Sequence, residues 1–210
     1  MNWGWIASNV GQIVEATIDH IILTVIAVGV GFAISLVLAL LIRRDRRFYA
    51  PISGFTGLLY TIPSLALFAI LVPITGLSLL TAEIGLVSYT LLILTRHIVS
   101  GFDGVPREIV EAADGLGYAS NERLRRVDLP LAMPLIIAGL RVATVTTIGL
   151  IMVTALIGEG GLGQLMLRGF NFRNYTAVYV GAAVTVAIAV VADLVLIRIG
   201  RLATPWARAG

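Results

Sequence analysis

The chain has 210 residues, of which 58% are hydrophobic and 13% charged, and its formal net charge is +3. Because soluble globular domains carry about 25% charged residues, this composition excludes an ordinary soluble domain and predicts a protein with several membrane-spanning helices. With no cysteine and two histidines, neither a disulfide framework nor a thiolate metal site is expected, and we predict no metal and no cofactor.

Five apolar blocks are long enough to cross a bilayer as helices, which takes about 20 residues each. They cover approximately residues 20–42, 52–73, 77–100, 131–157 and 175–200. We expect the whole chain, 1–210, to form one all-α integral membrane domain with five transmembrane helices. Residues 1–19 lack the basic start of a secretory signal, and we expect them to lie on the outer side.

The arginines predict the orientation of these helices. Arginines follow the first block, end the third, occupy the segment between the third and fourth, and follow the fifth, and all of these places fall on one side of the membrane if five helices alternate in direction. Only Arg168 and Arg173 lie in connections on the other side. Because cytoplasmic loops are enriched in Lys and Arg, the N-terminus is expected outside and the C-terminus in the cytoplasm. The segment 103–130 is then cytoplasmic.

The second block contains a proline with polar neighbours, at Tyr60, Thr61, Pro63 and Ser64. Pro63 lacks a backbone donor and its ring clashes with the carbonyl one turn back, so the helix is predicted to kink or break there. Carbonyls freed inside a membrane must be buried in protein or face water. Two interpretations stay open: these four residues help to form a gate along a pathway, or the kink serves packing alone.

The central segment, Glu111–Pro130, is the longest polar run between apolar blocks. We predict a short helix that ends at Gly117, and a second short helix, Asn121–Val127, capped by Ser120. The first helix carries an apolar ridge at helical spacing, formed by Ile109, Ala112, Ala113 and Leu116. Such a ridge allows docking into a partner's groove, but a loop folded on its own helix ends is equally compatible.

Two opposite charges fall at similar depth in the fourth and fifth blocks. Arg141 lies about 15 Å along its helix from Pro130, at a rise of roughly 1.5 Å per residue, and Asp193 lies shortly before Arg198. Charges inside a membrane usually face protein or water, so we expect Arg141 and Asp193 to pair and tie the two helices together. A direct role in transport is the alternative.

Between these blocks runs a glycine-rich turn with Gly160, Gly161 and Gly163. It lacks the Lys-Ser/Thr ending of a phosphate loop, so we do not expect nucleotide binding. Glycines permit tight turns and close backbone approach. A mobile closure over a pathway and a plain surface turn both fit this composition. No set of side chains for catalysis can be assembled across the membrane, and we predict no catalytic residue.

The central segment resembles the EAA signature of importer-type ABC permeases. That signature reads EAA, three residues, Gly, nine residues, an apolar residue, one residue and Leu-Pro, and it is matched by Glu111, Ala112, Ala113, Gly117, Val127, Leu129 and Pro130. The resemblance implies a coupling helix between the third and fourth spans, seated in a groove of a cytoplasmic ATPase subunit. Glu111, Ala112, Ala113 and Gly117 would contact the ATPase or shape the helix.

Three further runs resemble permeases of osmoprotectant importers, which take up glycine betaine, choline, carnitine or proline: TIPSLALFAILVPITGL, PLAMPLIIAGLRVAT and LIGEGGLGQLMLRGF. This resemblance implies a second permease subunit, an outer substrate-binding protein and a partner that hydrolyses ATP, in the cell membrane of a prokaryote. No nucleic acid partner is implied. The alternatives are a permease for an amino acid such as methionine and, from another class, a passive channel or facilitator.

Overall fold

Long helices make up most of the structure. Long runs of Ile, Leu, Val and Ala favour them in an apolar environment, because a helix pairs its own backbone N–H and C=O groups. The computed structural model of the protein describes residues 1–208, and this part of the chain contains ten α-helices and no strand. The helices are α1 (Trp3–Ser8), α2 (Val10–Arg44), α3 (Tyr49–Thr61), α4 (Ser64–Thr75), α5 (Leu79–Asp103), α6 (Arg107–Gly115), α7 (Ser120–Arg123), α8 (Leu129–Thr154), α9 (Leu162–Asn171) and α10 (Tyr175–Ala203). Short 3₁₀ turns cover Arg46–Phe48, Ala155–Ile157 and Pro205–Arg208, and a π-helical turn covers Leu124–Asp128.

Four helical segments are long and apolar enough to cross a membrane: Val10–Arg44, Leu79–Asp103, Ser120–Ile157 and Tyr175–Ala203. A fifth is added if Arg46–Thr61 and Ser64–Thr75, bent by 96° at their junction, count as one span. The all-helical, multi-span architecture predicted from composition is therefore confirmed. The number of five spans and the orientation stay predictions.

The second apolar block breaks where Pro63 predicts a kink or a break. Ile62 and Pro63 adopt extended backbone angles between α3 and α4. The freed carbonyl of Ile62 accepts a hydrogen bond from the hydroxyl of Tyr89 on α5. The Tyr89 ring also packs edge-to-face on Tyr60, with ring centroids 5.8 Å apart. The break is thus held by a neighbouring helix.

Helix α5 lies at the centre of the bundle between α2 and α8. In the most apolar stretch of α5, 61% of the residues are buried, against 11% in that of α10. Small residues allow this close approach: a Cβ added at Gly31 would collide with the Thr90 side chain, and one at Gly139 with the His97 side chain. Helices in membranes pack through such small residues, because lipid supplies no hydrophobic force between them.

The helix of the fourth span begins earlier than the sequence predicts. Instead of a separate helix over Asn121–Val127, α7 runs through the π-helical turn directly into α8, and Ala119, not Ser120, is the cap residue. The reason lies at Pro130. It has no N–H to donate to the Arg126 carbonyl one turn earlier, and in an ordinary α-helical turn its ring would clash with that carbonyl. The wider turn, closed by a bond from Leu129 N–H to the Leu124 carbonyl, relieves that clash.

Candidate coupling site and pathway residues

Helix α6 stands at one end of the bundle and carries the acidic residue of the EAA pattern. Glu111 is exposed, and its Oε1 accepts a hydrogen bond from Nε of Arg107, one turn earlier, at 2.8 Å. An exposed pair of this spacing contributes only about 0.3–0.5 kcal/mol. The Glu111 carboxylate can therefore exchange Arg107 for another partner at little cost in free energy.

The predicted apolar ridge of α6 is divided between two sides. Ala113 is only 4% exposed, because α6 packs there on α7 and the π-helical turn. Ala112 and Ile109 are exposed, and Leu116 is 77% exposed. Ala113 thus shapes the segment from inside, while Ile109, Ala112 and Leu116 form an outward apolar strip, which we call the α6 strip.

Gly117 ends the segment in a conformation that favours glycine. Its φ is +83°, and no atom lies within 4 Å of the position where a Cβ would be. Its N–H donates to the Asp114 carbonyl at 3.0 Å, and the N–H of Tyr118 donates to the Ala113 carbonyl at 3.2 Å. These bonds close the helix end, so the backbone angle, not lack of space, requires glycine here.

The last two residues of the EAA pattern belong to the bundle itself. Leu129 and Pro130 open α8 and are partly buried. Leu129 packs on the buried cluster that includes Ile42, Leu94 and Ile98. The structure therefore separates these two residues, which anchor a span, from Glu111 and Ala112, which face outward.

One residue from each of the two predicted groups of gate residues lines a common cavity. Ser64, at the start of α4, and Gly163, on α9, line the same cavity of about 440 Å³, whose other walls are mostly apolar and include Met152, Met166 and Phe170. The hydroxyl of Thr61 is turned back to the Leu58 carbonyl at 2.8 Å, and Tyr60 and Pro63 are exposed. Gating by these residues stays a prediction.

The glycine-rich turn is buried against the ends of two long helices. Gly160 and Gly161 have φ values of +121° and +47°. A Cβ on Gly160 would lie 2.7 Å from the Thr154 hydroxyl, and one on Gly161 would lie 2.5 Å from the Ala16 carbonyl. Close approach of the backbone therefore requires both glycines.

A second cavity, of about 460 Å³, lies beside this turn. Gly160 and Gly161 line it together with side chains of both signs: Glu15, Asp19, Glu159 and Arg168. The three carboxylates come from α2 and from the turn, so they are far apart in the sequence. This cavity was not predicted, because α2 and α9 meet only in the folded chain.

The structure brings Arg141 and Asp193 together. Nε of Arg141 donates to Oδ1 of Asp193 at 2.7 Å, and Nη2 donates to Oδ2 at 3.0 Å. This two-point contact joins α8 to α10, the least buried of the long helices. A forked arginine–carboxylate contact fixes orientation as well as distance.

Exchange of the two charges tests the structural role of this pair. Arg141→Asp or Asp193→Arg alone should lower the amount of folded protein in the membrane, because each leaves two like charges facing each other in the bundle. The double exchange should recover a large part of that loss, measured as monodisperse protein after detergent extraction. A neutral double variant, Arg141→Gln with Asp193→Asn, is the control for charge. Recovery no better than that of the poorer single variant would contradict the pairing role.

Comparison with known proteins decides the family. The family model described as "Binding-protein-dependent transport system inner membrane component" matches residues 16–208. The chain belongs to this family. It is 34% identical over 206 residues to the osmoprotectant import permease protein OsmW of Salmonella typhimurium, with 96% of each chain covered. It is 31% identical over 201 residues to the glycine betaine/carnitine/choline transport system permease protein OpuCB of Bacillus subtilis, with 96% of this chain and 93% of that protein covered.

The fold is also that of a solved permease. The structure superposes on a chain of the inward-facing MetNI methionine ABC transporter with a TM-score of 0.84 at 20% identity, covering 94% of this chain and 98% of that one. The family model and the similar permeases, not this likeness of fold, confirm the predicted family of ABC importer permeases. As a member, the protein is a multi-pass membrane component of a transport system, and nothing in the family points to an enzymatic activity of this subunit.

Sequence reasoning missed Asp128, the unspecified residue between Val127 and Leu129 of the EAA pattern. It is only 4% exposed, although it lies at the charged end of a span. A carboxylate in a run rich in arginine is normally read as solvated, so the sequence carries no sign of its burial. The partner that accounts for it, Arg43, comes from α2.

Proposed function

We propose that the protein is the translocation subunit of an ATP-driven importer that moves a small osmoprotectant, such as glycine betaine or choline, into a prokaryotic cell. The observation that carries this proposal is the similarity along nearly the whole chain to permeases named for osmoprotectants. The likeness to the methionine transporter supports the fold alone, since the identity there is 20%.

In this proposal the subunit acts with three partners. A cytoplasmic ATPase receives α6, for which the exposed Glu111 and the α6 strip offer a charge and an apolar surface. A second permease subunit, identical or related, completes the pathway, and an outer binding protein delivers the solute. The N-terminus lies outside and the C-terminus in the cytoplasm, in agreement with the arginine distribution. ATP-driven closure of the ATPases moves the paired permeases between inward- and outward-open states.

The apolar cavity between α4 and α9 is the candidate for a gate. Ser64 lies directly after the broken segment of the second span, where α3 and α4 meet at 96°. Helices interrupted at membrane depth occur where the free backbone is buried in protein or lines a cavity. Movement of α4 against α9 would open or close this space, which is why we place the gate here and not at the exposed Tyr60.

Reconstitution tests this function directly. The permease is co-purified with the ATPase and binding protein encoded beside it and placed in liposomes, and ATP hydrolysis and solute uptake are measured. We expect glycine betaine or choline, together with the binding protein, to stimulate hydrolysis and to enter the liposomes, and vanadate to stop entry. Stimulation by methionine instead would make the protein an amino-acid permease. Uptake that persists without ATP would make it a channel.

A further inference from the structure

A chain of charged side chains runs from α6 to the ends of two long helices. Nη1 of Arg123 donates to both carboxylate oxygens of Asp114, at 2.7 and 2.6 Å. Nε of the same guanidinium lies 3.6 Å from Oδ2 of Asp128, which is within ion-pair distance but longer than a hydrogen bond, and that oxygen accepts a hydrogen bond from Nη2 of Arg43. Asp114 belongs to α6, Asp128 to the turn before α8, and Arg43 to the end of α2.

The inner end of this chain is buried. Asp128 is 4% exposed, and its other oxygen, Oδ1, has no hydrogen-bond partner within the part of the chain that the structure describes. A buried carboxylate is unfavourable unless positive charges lie beside it, and Arg43 and Arg123 supply two such charges. The Arg43 guanidinium also lies 5.9 Å from the centre of the Phe102 ring, near the end of α5. The ends of α2, α5 and α8 therefore converge on this point.

The covalent connections of α6 are poorly suited to transmit a displacement. On one side Gly104, Val105 and Pro106 join it to α5, and on the other the chain turns at Gly117. The two glycines let these connections deform, because their backbone has more accessible conformations, although Pro106 itself keeps a fixed φ. A movement of α6 would be absorbed in these turns unless side chains tie the helix to the spans.

Two other ion pairs of this segment do not have this reach. Arg126 pairs with Glu122 at 3.1 Å, one turn along the same helical segment, and Arg107 pairs with Glu111 within α6. Such pairs stiffen a helix locally and are worth little when exposed. Arg126 is only three residues from Arg123, so the chain itself supplies a matched control.

We propose that Arg123 and Asp128 are positioning residues for transport: they make α6 move as one body with the cytoplasmic ends of α2 and α8. A displacement that the ATPase imposes on α6 then reaches the membrane spans without being lost in the glycine turns. The inference rests on the proposed function and adds the route by which force enters the spans. Arg123 need not touch the ATPase or the solute.

The test compares Arg123→Gln with Arg126→Gln in the reconstituted complex of permease, ATPase and binding protein. The measured quantity is the amount of glycine betaine imported per ATP hydrolysed. For Arg123→Gln we expect ATP hydrolysis to continue while this ratio falls at least about fivefold. For Arg126→Gln we expect the wild-type ratio. A residue that only supported the local fold would lower hydrolysis and import together and leave the ratio unchanged.

Asp114→Asn supplies an independent variant, since Asp114 is exposed and its replacement leaves the buried carboxylate in place. It should lower the ratio as Arg123→Gln does, and the double variant should be no worse than Arg123→Gln, because both remove the same link. The proposal is overturned if Arg123→Gln and Asp114→Asn both keep the ratio of Arg126→Gln. If the wild-type complex shows no ATP-dependent import at all, the proposed function fails first, and that result is visible before any variant is compared.

Discussion

Replacement of Gly117 by valine should abolish solute uptake while the protein still inserts into the membrane. The native φ of +83° is unfavourable for a β-branched residue by about 1–2 kcal/mol or more, enough to shift the turn roughly tenfold toward other conformations. Such a turn would rotate α6 away from α7 and move the α6 strip. Because the space around the glycine is open, the packed core is untouched. We expect uptake to fall at least about tenfold at an unchanged level of membrane protein.

Gly115→Ala is the matched control for this prediction. Gly115 lies at the end of the same helix, a Cβ there meets nothing within 4 Å, and its φ is not positive. Uptake should stay at the wild-type level.

Glu111→Arg, which reverses the exposed charge of α6, should abolish uptake as Gly117→Val does and reduce the amount of ATPase that co-purifies with the permease. Normal transport by both Gly117→Val and Glu111→Arg would remove the coupling role of this segment.

The second large effect is expected at Gly161, where alanine should destabilise the protein. An added Cβ would lie 2.5 Å from the carbonyl oxygen of Ala16 and 2.7 Å from the backbone nitrogen of His20. Both are backbone atoms of α2 and cannot turn aside. The angles φ +47° and ψ −113° are also outside the range of ordinary L residues. Overpacking and strain together should amount to about 3 kcal/mol or more, which lowers the melting temperature by about 10 °C.

Gly29→Ala controls for the general effect of adding a methyl group to a helix. Gly29 lies within α2, and a Cβ there has no neighbour within 4 Å. Its melting temperature in detergent should match or slightly exceed that of the wild type, since alanine favours helix more than glycine does. A Gly161→Ala protein that melts like the Gly29→Ala protein would show that the turn does not depend on contact with α2.

Features that depend on a short stretch of chain could be predicted from the sequence. A run of about 20 apolar residues forms a spanning helix because the bilayer core has a set thickness. Pro63 interrupts a helix because it lacks a donor, and Gly117 ends one because it tolerates a positive φ. The EAA spacing identified the family, since it fixes residue types at set distances within one segment.

The size of the break at Pro63 was beyond such reasoning. A proline removes one hydrogen bond, but it does not choose the direction in which the chain continues. The 96° bend is held by the Tyr89 hydroxyl on the Ile62 carbonyl and by the Phe68 ring, which packs where Gly85 leaves room. Those contacts come from α5, whose position depends on the whole bundle.

The charged side chains also include pairs that the sequence could predict and pairs that it could not. Depth and sign along two helices predicted that Arg141 and Asp193 would meet, since a helix has a fixed rise per residue. No such rule applied to Asp128, whose partner Arg43 lies 85 positions away on another helix. The sequence by itself determined the membrane class, the apolar blocks and the family. The tertiary structure alone decided which charges are buried together, because burial depends on elements that meet only after folding.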